Sequence, residues 1–181
     1  MNKSLLHKLA SATLALSLLA MEATAGIVDT VPGRFADFKQ GKVIFTVTGV
    51  LHNSAGLETV FICTNMNKAI TINIGIEIFN YAGALQNIIS EFITVNDRNY
   101  YNGAVMNIRP GSTATFVTDD GLAFNQDGVI RTAQASIPGG GARIVSTSAA
   151  IICTAAVAAF GSPPYVMMQL PIIKGLVQKG N

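Results

Sequence analysis

Between Ala69 and Asn80, isoleucine falls at every second position: Ile70, Ile72, Ile74, Ile76 and Ile78. Successive side chains of a strand point to opposite faces, so these five share one side while Thr71, Asn73, Gly75 and Glu77 take the other. On a helix the same isoleucines would scatter around the axis with restricted χ1 angles. The pattern predicts a strand with one dry face. A dry face needs a second layer, and another sheet is the simplest supplier.

The rest of the chain repeats the theme in shorter pieces. Val43, Phe45 and Val47 alternate with Ile44, Thr46 and Thr48, predicting a strand that ends in a loop at His52-Asn53-Ser54-Ala55-Gly56. Leu57 to Asn65 reads as another strand, and Asn65-Met66-Asn67-Lys68 as the turn of an antiparallel hairpin into the isoleucine strand. From Ala84 to Asn96 the apolar spacing mixes helical and strand steps and is read as strand. Asp97 to Gly103 reads as an exposed loop carrying Tyr100 and Tyr101, and Pro110-Gly111 as a type II turn before a strand from Thr113 to Thr118. Val129 to Ile137 resumes strand character, and Gly139-Gly140-Gly141 reads as a flexible hairpin tip. Ala142 to Ser146 and Ser148 to Phe160 read as consecutive strands. Tyr165 to Ile173 alternates again, and Pro171, lacking an amide donor, puts that strand at an edge or a bulge. About eight to nine short strands between Gly, Pro and Asn turns predict an all-β fold, a single-domain antiparallel β-sandwich preceded by a cleavable signal helix.

The signal helix is read from the beginning of the chain. Lys3 and Lys8 precede an apolar run from Leu9 to Met21, too short to span a bilayer, which ends in Ala23-Thr24-Ala25 before Gly26. That pattern predicts a signal peptide over 1–25, cleavage near Ala25-Gly26 and a secreted or periplasmic product without stable membrane insertion. Residues 26–41 then form an N-terminal arm, either packed through Phe35 and Phe38 or a mobile leader, 42–175 the sandwich and 176–181 a C-terminal tail. Cys63 and Cys153 are the only cysteines and sit in matching surroundings, Phe61-Ile62-Cys63-Thr64 and Ile151-Ile152-Cys153-Thr154. In an oxidising compartment they predict a disulfide between strands that are neighbours or face each other. Two separate buried thiols are the alternative.

Charge narrows the function classes. Without residues 1–25 the totals of 12 basic and 10 acidic residues fall to 10 and 9, so no basic stripe exists for nucleic acid. The mature chain keeps a single histidine, His52, placed by its turn-rich neighbours in a solvated loop, which removes histidine-based metal sites. Asp119, Asp120, Asn125 and Asp127 offer oxygen ligands of the kind calcium takes, but their spacing does not match the calcium loop of helix-loop-helix proteins and ordinary turn capping is the simpler explanation. Glu77 and Glu91 are the conceivable carboxylate pair for glycoside hydrolysis, with Glu77 more simply on the polar face of its strand. Tyr100 and Tyr101 are candidates for ligand stacking or for local packing. No catalytic residue and no cofactor is assigned.

The segments Val60-Phe61-Ile62-Cys63-Thr64-Asn65, Ala142-Arg143-Ile144-Val145-Ser146-Thr147-Ser148 and Ile151-Ile152-Cys153-Thr154-Ala155 resemble a family of small secreted bacterial β-sandwich proteins of no assigned activity, over about Val43 to Ile173. The strand order is more distantly similar to the sensory-rhodopsin-transducer-like sandwich, which as fold analogy implies no functional residue. These readings predict an exported, non-enzymatic binding or structural module with a protein or glycan partner in the envelope. The alternatives are a surface fibre or adhesin subunit completed by strand exchange and an envelope hydrolase using a carboxylate pair. The end of the chain, Val177-Gln178-Lys179-Gly180-Asn181, lacks the aromatic expected of an outer-membrane barrel.

Overall fold

The isoleucine stretch folds as strand β3 (Ile72–Phe79), in a computed structural model that describes residues 27, 30–53, 56–118, 126–159 and 166–174. Its inward side chains Ile72, Ile74, Ile76 and Ile78 are buried with Val47, Phe61, Phe116 and Ile144 in one core. Removing each such side chain from water contributes about 1.5–3 kcal/mol. The ladder is one rung shorter than its spacing suggests: Ile70 precedes the strand and is 55% exposed.

Two sheets enclose that core. The seven-stranded sheet runs β12-β1-β9-β3-β6-β5-β4, and the five-stranded sheet runs β11-β10-β2-β7-β8. The remaining strands are β1 (Lys42–His52), β2 (Leu57–Asn65), β4 (Phe92–Val95), β5 (Arg98–Tyr101), β6 (Ala104–Ile108), β7 (Thr113–Val117), β8 (Gly128–Val129), β9 (Ile137–Ser146), β10 (Ile151–Ala159), β11 (Val166–Gln169) and β12 (Ile172–Lys174). Every pairing is antiparallel except β7 with β8. The described residues thus form an all-β sandwich of twelve strands, with no helix among them.

β3 is dry on both faces, contrary to the one-sided expectation. Asn73 and Glu77 on its outer side are each 1% exposed, because the arm and residues 84–91 form a third layer there. Phe35 and Ile89 pack with Ala104 and Val145 on that face. Gly75 makes room for them, since a Cβ at that position would press on both Ile89 and Phe35. The arm reverses tightly, with Phe35 N–H donating to the Lys39 carbonyl at 3.0 Å. Only one of its two phenylalanines packs: Phe35 is buried, while Phe38 sits at the tip with φ 63° and is 82% exposed.

Several local expectations give way to crossings between sheets. The turn at 65–68 does not close a hairpin: β2 and β3 belong to different sheets. β9 and β10, read as consecutive strands, also lie in different sheets. Tyr165 to Ile173 is not one strand, since the chain leaves β11 at Leu170-Pro171 and joins the other sheet as β12. The glycine run lies inside β9 rather than at a tip, where a Cβ on Gly140 would collide with the Phe79 carbonyl oxygen across the ladder. Glycine is required there for close backbone approach, not for flexibility. From Val129 to Ile137 only the two ends are in strands, and from Ala84 to Asn96 only Phe92–Val95 is. Asp97 to Gly103, read as a loop, holds β5 instead.

Candidate functional site

Cys63 and Cys153 are register partners on the adjacent antiparallel strands β2 and β10, and they form a disulfide across a Cα separation of 4.1 Å. That closeness belongs to the non-hydrogen-bonded kind of antiparallel pair. A disulfide fits an oxidising, extracytoplasmic environment. No helix among the described residues is long and apolar enough to cross a membrane.

The bond fastens β10 where its other edge is open. β2 accompanies β10 from Ile151 to Ala159, but β11 accompanies it only from Ala156 to Ala159. The last link on that side is the Leu170 N–H donating to the Ala155 carbonyl at 2.8 Å, after which Pro171 carries the chain away. Backbone groups alternate sides along a strand, so Ile151 and Cys153, in phase with Ala155, aim their N–H and C=O groups at the vacated position. Among the described residues no strand occupies it. The notch beside it has a volume of about 440 Å³ and is lined by Cys153, Thr154, Gln169, Leu170, Pro171 and Ile172. Exposed Ile152, Met167 and Met168 flank it. On the facing sheet β12 runs beside β1 from Phe45 to Val47. The open stretch, Ile151 to Thr154, carries exposed Ile152 and is an unpaired edge of the kind that proteins normally blunt.

A second unusual feature is the buried ion pair between the register partners Glu77 and Arg143. Arg143 Nε donates to Glu77 Oε2 at 3.0 Å, and Nη2 makes an ion contact with the same oxygen at 2.7 Å, off hydrogen-bond geometry. Nη1 donates to the carbonyls of Thr30 at 2.5 Å and Ile27 at 3.2 Å, while Gly33 N–H donates to Glu77 Oε1 at 2.7 Å. The guanidinium lies 4.8 Å from the centre of the Phe79 ring. These contacts pin the arm to the outer face of β3 and β9. Glu77 is therefore not the solvated polar residue its alternation suggests, nor does it pair with Glu91, whose Oε2 accepts from Asn102 Nδ2 at 3.2 Å.

The other sequence candidates are dispersed. His52 is not in a solvated loop: it ends β1 opposite Ile137, is 9% exposed, and its Nδ1 has no hydrogen-bond partner. Asp127 accepts from the N–H of Thr115 in β7 at 2.9 Å, a bond between distant segments rather than a local turn cap, while Asp119, Asp120 and Asn125 lie outside the described residues. Among the described residues no three His, Cys, Asp or Glu side chains gather as a metal site. Tyr100 packs with Ile93, Val95 and Val129, and Tyr101 leans edge-on against its cross-strand partner Phe92 with ring centres 5.5 Å apart. Residues 1–25, read as the signal, also lie outside the described part. Sequence reading missed Arg143 and the open stretch of β10. A basic residue inside a β-branched run, Ala142-Arg143-Ile144-Val145, was the available sign of the first.

No family model, curated protein or solved structure matches this chain.

Proposed function

We propose that this is an exported, non-enzymatic binding module of the envelope that takes up an extended segment of another polypeptide as an added strand along β10. The supporting observation is that, among the described residues, β10 is paired along its whole length on one side but only over Ala156–Ala159 on the other. Main-chain groups of Ile151 and Cys153 supply affinity without regard to side chains. The notch and the exposed Ile152 and Met167 give the added strand's alternating side chains apolar ground. The disulfide holds the receiving strand in shape beforehand, which lowers the ordering entropy of association. A fibre subunit would use the same acceptor edge. A version in which the arm is donated to a neighbour is disfavoured by the arm's own attachments through Phe35 and Arg143.

The test is a photoreactive amino acid introduced at Ile152 and, as a control, at exposed Asn99, followed by cross-linking in the native envelope. A discrete adduct at position 152 and none at 99 is the expected result. Equal cross-linking at the two sites, or none at either, would overturn the reading.

A further inference from the structure

We infer that one end of the sandwich rests on an anionic phospholipid surface through two loops, residues 66–71 after β2 and residues 109–112 after β6. The inference goes beyond the strand-binding reading and does not depend on it. Asn65 fastens the two loops to each other. It is fully buried, and its Nδ2 donates to the carbonyls of Ile70 and Ile108, both at 3.0 Å. Its backbone N–H donates to the Ser112 carbonyl and its carbonyl accepts from Gly111 N–H, each at 2.9 Å. The crossing from β9 to β10 is tied in as well: Met66 N–H donates to the Ala150 carbonyl at 2.8 Å, and Asn67 Nδ2 reaches Ser148 Oγ at 3.1 Å. This end is therefore shaped before any partner arrives, which lowers the ordering entropy of docking.

The loops turn their amides inward and present a different chemistry outward. Asn65 and Asn67 are spent on hydrogen bonds within this end. Met66 and Ile70 are 57% and 55% exposed, with exposed Lys68 midway between them in sequence, and the neighbouring loop exposes Arg109 and Pro110. Among the described residues neither Lys68 nor Arg109 makes a salt bridge. No residue in 64–72, 107–114 or 146–153 is acidic. Acids on adjoining segments are already engaged: Asp37 by Lys39 and Asn73, Asp127 by the Thr115 N–H. Exposed Lys42, register partner of Ser146, adds to the positive side.

Single exposed apolar residues are ordinary on a protein surface. Here two of them bracket a cation on a fixed loop, with a second unpaired cation on the loop bonded to it. A bilayer is charged at its headgroups and apolar just beneath, the same order in which these side chains project. Met66 and Ile70 can pass below the phosphates while Lys68 and Arg109 stay level with them, their stems lying along the acyl boundary. An acidic protein or free phosphate would answer the cations, but a lipid surface also takes up the two apolar tips.

The experiment measures partition of the purified, disulfide-bonded protein onto vesicles of phosphatidylcholine alone and of phosphatidylcholine mixed in equal parts with phosphatidylglycerol. Binding is expected to the anionic vesicles, to weaken as salt is raised, and to be displaced by inorganic phosphate no more than by chloride of the same ionic strength. Lys68→Gln and Arg109→Gln are each expected to weaken it by about fivefold, and Met66→Ser with Ile70→Ser by about tenfold or more. Arg98→Gln, in the distant β4–β5 hairpin, is the control and should leave binding unchanged, and all of these exposed positions should leave the melting temperature in place. No preference for the anionic vesicles, or displacement specific to phosphate, would overturn the inference. So would binding that survives both cation substitutions, that ignores loss of Met66 and Ile70, or that falls equally in Arg98→Gln.

Discussion

Replacing Arg143 with methionine removes the cation that holds three segments together. The substitution leaves the Glu77 carboxylate 1% exposed, with the Gly33 N–H at 2.7 Å as its remaining protein donor. It also frees the carbonyls of Ile27 and Thr30. Removing one partner of a buried pair costs about 3–5 kcal/mol, because the other charge stays buried and uncompensated. For a domain of this size that is a fall in melting temperature of about 6–20 °C. Urea unfolding of the wild type and of Arg143→Met, followed by far-ultraviolet circular dichroism, measures the difference directly. The double substitution Glu77→Leu with Arg143→Met is expected to recover part of the loss, since no charge is then stranded. Its arm, lacking the three polar attachments made through Glu77 and Arg143 and keeping the hydrogen bond from Asn73 to Asp37, should be cut by trypsin after Arg34 or Lys39 faster than in the wild type. A loss below about 1 kcal/mol for Arg143→Met would put the pair in the range of surface salt bridges and refute the reasoning.

Three further outcomes follow from the same geometry. Replacing Cys63 and Cys153 with alanine opens a loop with a sequence separation of 90, and on the chain-entropy model it should cost about 4–5 kcal/mol in urea unfolding; a loss below about 1 kcal/mol would contradict that. Gly140→Ala should destabilise by about 1–3 kcal/mol through collision with the Phe79 carbonyl, while Gly139→Ala, with nothing within 4 Å, should stay within about 0.5 kcal/mol; equal effects would show that the close approach is not the reason for glycine. The hydrogen bond from Lys39 holds the Asp37 carboxyl below its ordinary value of 3.8, helped by Asn73 and opposed by burial. Because the folded-state value lies below the unfolded one, this contribution is present in full above pH of about 4 and is lost as pH falls through the folded value. An NMR titration placing Asp37 at or above the ordinary value would contradict it.

Some of this was legible in the sequence for local reasons. Alternation at Ile72 to Ile78 names a strand because the period of a strand is two. The matched surroundings of Cys63 and Cys153 point to strands that pair, and they do so in register. Pro171 announces a break because it cannot donate, and the chain changes sheet there. What stayed hidden depends on distant segments. Glu77 looks solvated until an arm more than forty positions earlier in the chain covers it. Asn65-Met66-Asn67-Lys68 has turn composition, but composition does not distinguish a turn within a sheet from a crossing between sheets. Gly139-Gly140-Gly141 looks loose because glycine serves both flexibility and close packing, and only the neighbouring Phe79 decides between them. The open edge of β10 is set by where β11 departs, and Asn65 joins the loop of Lys68 to the loop of Arg109, distant in sequence, at one end.

Amide hydrogen exchange along β10 tests the proposed acceptor edge most directly. In the isolated protein the amides of Ile151 and Cys153, facing the vacated side, should exchange far faster than those of Ile152 and Thr154, which face β2. Val157, on the same side as Cys153 but covered by β11, should be protected. If Cys153 is as slow to exchange as Val157, that edge is already occupied, and no strand can be added to it.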